Sequence, residues 1–418
     1  YLADQMALLS IAIRGSQTES TNGQFNIDSK YIELSIPVVS DMPFAQDVRV
    51  DYGYRELENT NSLRTNKYDV DALSIFWRIN DEIAVRASEQ TTTKSPNIDD
   101  LYSPLNPSFQ QALDPCDARY VADGDFPANR AANCAAIGID TSTFRSFVAG
   151  GTVQGVSGGN PRLLDESGET NSYGIIYTPS NDFFDAIGNV SMSADYIEIL
   201  LTDYVTTFAL IDFMEACYDA ASFPNNFCDS FTRDPETNQV NGFSVGAGNA
   251  GTIDFGTYIY RINWDKDFSI GNLSLAWRGY QQDKRNQADS GDPADLVDKT
   301  GYASDPEWVQ DLTIGLAKND HFAYYKMDFV DGGYINKQQT DIRADRYIGA
   351  SGQPMTEYDG YFTDTIGYVY TPTEDITLAI RVSNPLDHDG SEDRYQVERG
   401  TLLIGRTISV SYTHLTLP

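Results

Sequence analysis

The sequence predicts an all-β protein, a transmembrane antiparallel meander β-barrel, and three observations carry that prediction. Short segments alternate apolar and polar residues with a period of two, the mark of strands wetted on one side only. No run of about 18 apolar residues occurs, which excludes a transmembrane helix but leaves barrel strands open, since only every second residue of a strand faces lipid. Short turns alternate with long polar loops, as they do when the two ends of a barrel face different compartments. Composition agrees with this: 26 Tyr, 20 Phe and 32 Gly in 418 residues favour strands and turns over helices.

Taken in order, Ile32, Leu34, Ile36 and Val38 alternate with Glu33 and Ser35. Val48, Val50, Tyr52 and Tyr54 alternate with Arg49, Asp51 and Arg55. Leu73, Ile75, Trp77 and Ile79 alternate with Ser74, Phe76 and Arg78, and the chain reverses at Asn80-Asp81 into Ile83 to Ala87. Tyr258, Tyr260, Ile262 and Trp264 lead through Asp265-Lys266-Asp267 to a strand carrying Leu273, Leu275 and Trp277. Further hairpins turn at Lys318-Asn319-Asp320 and at Thr371 to Glu374. The clearest strand follows: Ile376, Leu378, Ile380 and Val382 share one face, with Thr377, Arg381 and Ser383 on the other. The last strand puts Ile404, Ile408, Val410 and Tyr412 together. About fourteen strands result, with Tyr and Trp near the turns as an aromatic girdle requires. The long connections are 94–168, 204–250, 284–304, 331–358 and 384–400. A sandwich or propeller has no reason to collect long loops at one end, and no repeat of 20 to 50 residues is visible.

The formal charge of −32 excludes a nucleic-acid partner, which an acidic surface repels. It equally fits a solvated secreted protein. The chain opens in mid-strand at Tyr1 and is read as a fragment without its N-terminal region. Four cysteines form two local pairs within polar loops, Cys116 with Cys134 and Cys217 with Cys228, the arrangement expected of disulfides in an oxidising compartment. Zinc would need closer spacing or nearby His, and His321, His388 and His414 are scattered. No cofactor is expected.

Several segments then resemble one family. Ala84 to Ser88, followed by Lys94-Ser95-Pro96-Asn97-Ile98-Asp99-Asp100-Leu101-Tyr102, is similar to the "R-A-S … R-A-P-N-I-x-E-L-[FY]" stretch of TonB-dependent outer-membrane receptors. Asp114 to Asp117, Cys134, Gly159-Asn160-Pro161, Leu163, Glu166 and Asn225 to Cys228 resemble its further landmarks in order. Asn384-Pro385-Leu386-Asp387 resembles its "N-L-F-D", and Gly405-Arg406 to Tyr412 its closing strand. The resemblance covers nearly the whole chain. It implies about 14 C-terminal strands of a 22-stranded barrel, residues 1–412, normally filled by an N-terminal plug. It also implies energised uptake of an iron chelate, oligosaccharide or similar solute across the Gram-negative outer membrane. Lipid would surround the barrel, and the TonB-ExbB-ExbD complex would pull through a plug region that this fragment lacks. Lys94 and Ser95 depart from the pattern. Residues 413–418 lack the family's terminal Phe and are set aside as a non-native tail.

Three other chemistries lack the residue patterns they need. Gly155-Val156-Ser157-Gly158-Gly159 matches G-x-S-x-G, but a nucleophile elbow needs a helix after the serine, and Asn160-Pro161 follows. Asp387-His388-Asp389-Gly390 with Glu392 and Asp393 departs from Ca²⁺-loop spacing and reads as a solvated acidic loop. No carboxylate pair for glycosidase work stands out among 61 acids, and the protein is read as a non-enzyme. Ligand contact is assigned instead to the disulfide-bearing loops, where Arg119, Tyr120, Arg145, Tyr218 and Arg233 supply cations and aromatic faces. Aromatic faces suit a sugar and arginines an anionic ferric chelate. The alternative to energised import is a passive porin or a surface adhesin.

Overall fold

In the computed structural model, residues 20–124, 126–249, 251–288, 296–302, 304–334, 357–387 and 405–414 are described. The first hairpins are long: β1 (Asn26–Met42), β2 (Ala45–Thr60), β3 (Thr65–Arg78) and β4 (Ile83–Lys94). After β5 (Asn106–Gln110) and β6 (Val153–Gly158) come β7 (Glu166–Tyr177) and β8 (Asn189–Thr202). Next are β9 (Val205–Thr207), β10 (Phe231–Arg233) and β11 (Val240–Asn249), then the long pair β12 (Thr252–Phe268) and β13 (Gly271–Ala288). β14 (Val297–Asp298), β15 (Trp308–Lys318), β16 (His321–Val330), β17 (Gly333–Tyr334) and β18 (Glu357–Tyr358) lead to β19 (Tyr361–Thr373), β20 (Ile376–Ser383) and β21 (Thr407–His414).

One antiparallel meander runs β1-β2-β3-β4-β7-β8-β12-β13-β15-β16-β19-β20-β21, and β14 on β13 makes it a 14-stranded sheet. β5, β6, β9, β10 and β11 form a separate sheet within two of the long connections. Short strand connections gather at one end. There Asn80 Oδ1 accepts the Glu82 and Ile83 amides at 2.9 and 2.8 Å, and Asn319 takes a positive φ of 51°. The strands outrun their sequence-predicted turns: β12 continues through Asp265-Lys266-Asp267 to Phe268, and β19 to Thr373. Charged residues are tolerated there because the hairpin tips are wet. One connection departs from the alternation. Residues 61–64 between β2 and β3 lie at the long-loop end but form a tight turn closed by Asn61 N to Arg64 O at 2.9 Å.

Cross-strand register turns local alternation into a global feature. Val190, Trp264, Leu275, Ile314, Tyr325, Ile366, Val382 and Ile408 are successive partners across eight strands. Ile36, Val50, Ile75, Ala87, Tyr173, Tyr196 and Tyr258 form a second such row. Much of this face is exposed, for example Ile75 at 44%, Ile175 at 47% and Ile366 at 49%. Near the short turns, Trp77 Nε1 donates to Phe44 O (2.8 Å) and Trp264 Nε1 to Ile187 O (2.9 Å), pinning both indoles at the rim. The opposite face carries Arg49, Asp51, Arg86, Asp195, Arg261, Arg278, Asp311 and Asp328. The closing strand pairs as far as Ile376 with His414, two residues into the segment set aside above. The main buried cluster lies in the long loops, not under the meander.

Candidate functional site

The two cysteine-bearing connections, 95–165 and 203–251, fold into one body. β6 of the first pairs in parallel with β11 of the second, Val156 with Ser244 through Gly158 with Gly246. Helix Leu210–Tyr218 presents Leu210, Met214, Cys217 and Tyr218 along one stripe, spaced i, i+4, i+7, i+8, and all are buried. Helix Pro127–Ala136 starts with Pro at its first turn and buries Arg130 and Cys134, four residues apart. Ala112, Ile139, Val148, Phe231, Val240, Phe243 and Val245 complete the core. Both expected disulfides are formed, Cys116–Cys134 with Cα atoms 5.6 Å apart and Cys217–Cys228 at 5.0 Å. Each staples a helix to its own loop.

Buried charges join the loops to each other. Arg130, 1% exposed at its side chain, donates from Nε and Nη2 to the Asp219 carboxylate at 2.5 Å each, from Nη2 to Glu215 at 3.1 Å, and from Nη1 to Tyr120 O at 3.2 Å. Asn133 Nδ2 donates to Tyr218 O and Ala220 O at 2.8 and 2.9 Å. Arg233 grips buried Asp114 at 2.7 and 2.9 Å while donating to Tyr218 Oη at 2.9 Å. Burial disfavours both guanidinium charges, but their carboxylate partners prevail and hold both more firmly protonated than free arginine. Burial likewise raises the Tyr218 phenol.

Tyr218 and Arg233, expected at a ligand surface, are therefore inside, with their polar atoms engaged by one another and by Asp114. Their residue types suited ligand contact, but packing between the loops enclosed them. Arg119, Tyr120 and Arg145 sit at the surface of the same body. Arg119 chelates Asp117 at 2.9 and 2.7 Å and lies 5.0 Å from the Tyr120 ring. Arg145 stands 3.9 Å from Asp117 and is 56% exposed at its side chain. Burial works against the Asp117 charge, yet the Arg119 side chain and the Ser146 and Arg119 amides outweigh it and hold this carboxyl at about 2.

The motif positions form the roots of the loops. Asn97 caps helix Ile98–Tyr102: its Oδ1 accepts Asp100 N at 2.8 Å while Asp100 Oδ2 accepts Asn97 N at 3.0 Å. Pro96 before it is buried. Gly159 N donates to Ser103 O (2.8 Å) and Asn160 N to Asp100 O (2.7 Å), so close that a Cβ at Gly159 would stand 2.7 Å from Ser103 N. Asn160 Oδ1 then accepts Arg162 N at 3.0 Å across Pro161. Buried Glu166 accepts Val205 N at 2.9 Å and Lys94 Nζ at 3.2 Å, tying the first loop's root to the second's. Asn384, buried with φ 51°, donates to Asp364 O at 2.8 Å, and Arg406 N beside Gly405 donates to Asp387 Oδ1 at 2.9 Å.

Ser157 lies in the middle of β6, paired with Asn106 on one side and Val245 on the other, so it is no strand-to-helix elbow. Of the acidic loop, Asp387 is described; His388, Asp389, Gly390, Glu392 and Asp393 lie outside the described residues. No group of three metal-ligating side chains occurs among the described residues.

Below the loop body, the charged face holds one bridge that spans four strands. Arg86 on β4 reaches Asp195 on β8 at 2.7 Å, and Arg261 on β12 reaches the same carboxylate at 3.1 Å. The intervening strand passes beneath through Gly174, where a Cβ would stand 2.0 Å from Asp195 Oδ1 and 3.0 Å from Arg86 Nε. Sequence reasoning missed Asp114, Arg130, Asp219 and Gly174 as organising residues. Only the Asp-Pro-Cys-Asp run hinted at any of them.

No family model matches the sequence, nor does any curated protein. Solved structures do. The siderophore receptor PirA from Acinetobacter baumannii aligns over 96% of this chain and 47% of its own at 13% identity, with a TM-score of 0.56. A variant of the ferric enterobactin receptor PfeA from Pseudomonas aeruginosa aligns over 93% and 45% at 12% identity, TM-score 0.56. The FrpB iron transporter from Neisseria meningitidis aligns over 98% and 49% at 11% identity, TM-score 0.51. The chain thus has the fold of the β-barrel part of these receptors and spans about half their length.

Proposed function

We propose that the chain is the barrel portion of a TonB-dependent receptor that imports a scarce nutrient, foremost an iron chelate, across the outer membrane of a Gram-negative bacterium. One observation carries the reading: apolar rows, much of them exposed, together cross the whole meander. In water so large an apolar face is costly; in lipid it is the required surface. The charged opposite face suits a hydrated lumen, and the disulfide-stapled body over one end suits capture of a solute before passage. Arg119, Tyr120 and Arg145 are the proposed first contacts, favouring an anionic cargo. The barrel portion extends through the closing strand β21, paired as far as His414. TonB-ExbB-ExbD would act through a plug region that the family resemblance places upstream. The proposed role is transport, and Ser157, held in a sheet, forms no nucleophile elbow.

The test is growth of a host lacking its own iron receptors, supplied with the complete gene and single ferric chelates. Rescue by at least one chelate that vanishes when tonB is deleted supports the proposal. Rescue that persists without TonB means a passive pore and overturns it.

A further inference from the structure

One connection at the short-turn end is longer than a hairpin needs. Residues 178–188, between β7 and β8, hold a helix, Asp182–Ile187, where the other described connections at that end turn within two to four residues. Phe183, Phe184 and Ile187 fall within about 100° of that helix's arc, with Asp182 and Asp185 on its other side. Asn181 Oδ1 caps it by accepting the Phe183 amide at 3.2 Å, and Ser180 N and Oγ donate to Glu82 Oε1 at 2.8 and 3.0 Å. Its far end leans on the apolar face of β12, where Trp264 Nε1 donates to Ile187 O and Lys266 Nζ to Ala186 O. A Cβ at Gly188 would stand 2.5 Å from Asp265 O, so this approach needs the glycine, which also takes a φ of 124°. Phe184 meets Tyr177 edge-on at 6.5 Å, whereas Phe183 is 65% exposed. The helix therefore lies against the outer, apolar side of the wall.

Further along the same face, Met192, Ala194, Tyr260, Ile262, Trp277 and Trp308 line an apolar groove of about 400 Å³. Tyr260 stacks on Trp277 and Trp308, ring centroids 6.5 and 6.1 Å apart. The Trp277 ring lies over Gly279, and Ala194, set between Ile175 and Tyr260, is too small to fill the space left. Tyr177 lines the groove and also touches Phe184, so groove and helix are continuous.

We propose that groove and helix form a binding site for one glycerophospholipid of the periplasmic leaflet. An acyl chain lies in the groove, Phe183 and Ile187 enter the headgroup boundary as an interfacial helix does, and Lys266 meets the phosphate. The spacing fits: Ile262 and Lys266 are four strand residues apart, about 13 Å, and one leaflet's hydrocarbon is roughly 15 Å deep. Lys266 spends one of its three donors on Ala186 O and lies 5.6 Å from the Phe268 ring, with its stem on apolar surface and its charge toward water. A groove walled by hydrocarbon and aromatic faces suits a chain that carries no hydrogen-bonding group, whereas a protein segment laid there would leave backbone groups unpaired. The inference rests on the outer-membrane reading, which puts lipid on this face.

The experiment extracts the complete receptor from outer membranes in mild detergent and follows added palmitoyl-oleoyl phosphatidylethanolamine by native mass spectrometry. Wild type should retain one phospholipid. Ala194→Phe, which fills the groove, should weaken retention roughly tenfold, the worth of about ten lost carbon–carbon contacts, in barrels that keep their heat-resistant gel mobility. Lys266→Gln should weaken it roughly fivefold, the worth of one net hydrogen bond. Ile380→Phe, which enlarges a side chain elsewhere on the apolar face, should change nothing. If Ala194→Phe misfolds, Phe183→Ser carries the same reading, because that position is exposed and its loss spares the wall. Equal retention by wild type and by the groove, rim and helix variants means an unspecific lipid shell and overturns the site, as does a wild type that retains none. Recovery of the receptor in the soluble fraction sinks the outer-membrane reading and the site together. Because retention needs neither energy nor cargo, loss of chelate-dependent growth with intact retention sinks the import reading and leaves the site standing.

Discussion

Replacing Arg130 with Leu should unfold the loop body while sparing the barrel. The guanidinium is buried and meets Asp219, Glu215 and the Tyr120 carbonyl, joining positions 89 and 85 residues apart across two connections. Without it Asp219, 12% exposed at its side chain, is left as a buried carboxylate lacking its cation. Breaking such a pair typically costs about 3–5 kcal/mol. At about 1.36 kcal/mol per tenfold, that cost lowers the protection of the body's amides roughly 160- to 5,000-fold. Hydrogen exchange of the oxidised receptor reads this directly. Amides of Leu210–Tyr218 and β11 should lose protection by that factor, and those of β12 and β13 should not change. Asp219→Leu added to Arg130→Leu should recover most of the loss, because a buried pair replaced by apolar side chains is often neutral. A loss below tenfold in the single variant, or no recovery in the double, would refute the view that this pair locks the loops together.

Two further outcomes follow from the geometry. Gly174→Ala puts a methyl group 2.0 Å from Asp195 Oδ1, so Arg86 and Arg261 can no longer share that carboxylate across β7. A loss of about 1–3 kcal/mol in barrel unfolding by denaturant is expected, and an unchanged midpoint would sink the argument. Asp117 titrates at about 2 when folded, against an ordinary 3.8. A depressed carboxylate contributes stability that is present above pH about 4 and lost as pH falls through about 2, here about 2 kcal/mol. The difference in loop-body stability between wild type and Asp117→Asn should accordingly be constant from pH 7 to 5 and shrink toward pH 2. A difference that grows on acidification would reverse the sign and reject this account.

The meander was legible because its signal is local: residues two apart face the same way, so Ile376, Leu378, Ile380 and Val382 declare a strand without reference to any other. Loop ends and both disulfides were legible for the same reason, each cysteine lying within 18 residues of its partner. The motif positions were found as letters, but their work at the loop roots was not. Contacts such as Asn59 Nδ2 to Asp165, or Glu166 to Val205, join residues far apart in the chain and leave no spacing to read. Tertiary structure alone decided that the two loops are one body through Arg130–Asp219 and Arg233–Asp114, and so enclosed Tyr218 and Arg233 while leaving Arg119 and Arg145 outside. It alone also set Met192 and Ala194 of β8 beside Ile262 and Tyr260 of β12, because register across strands, not sequence along them, decides which side chains share a wall.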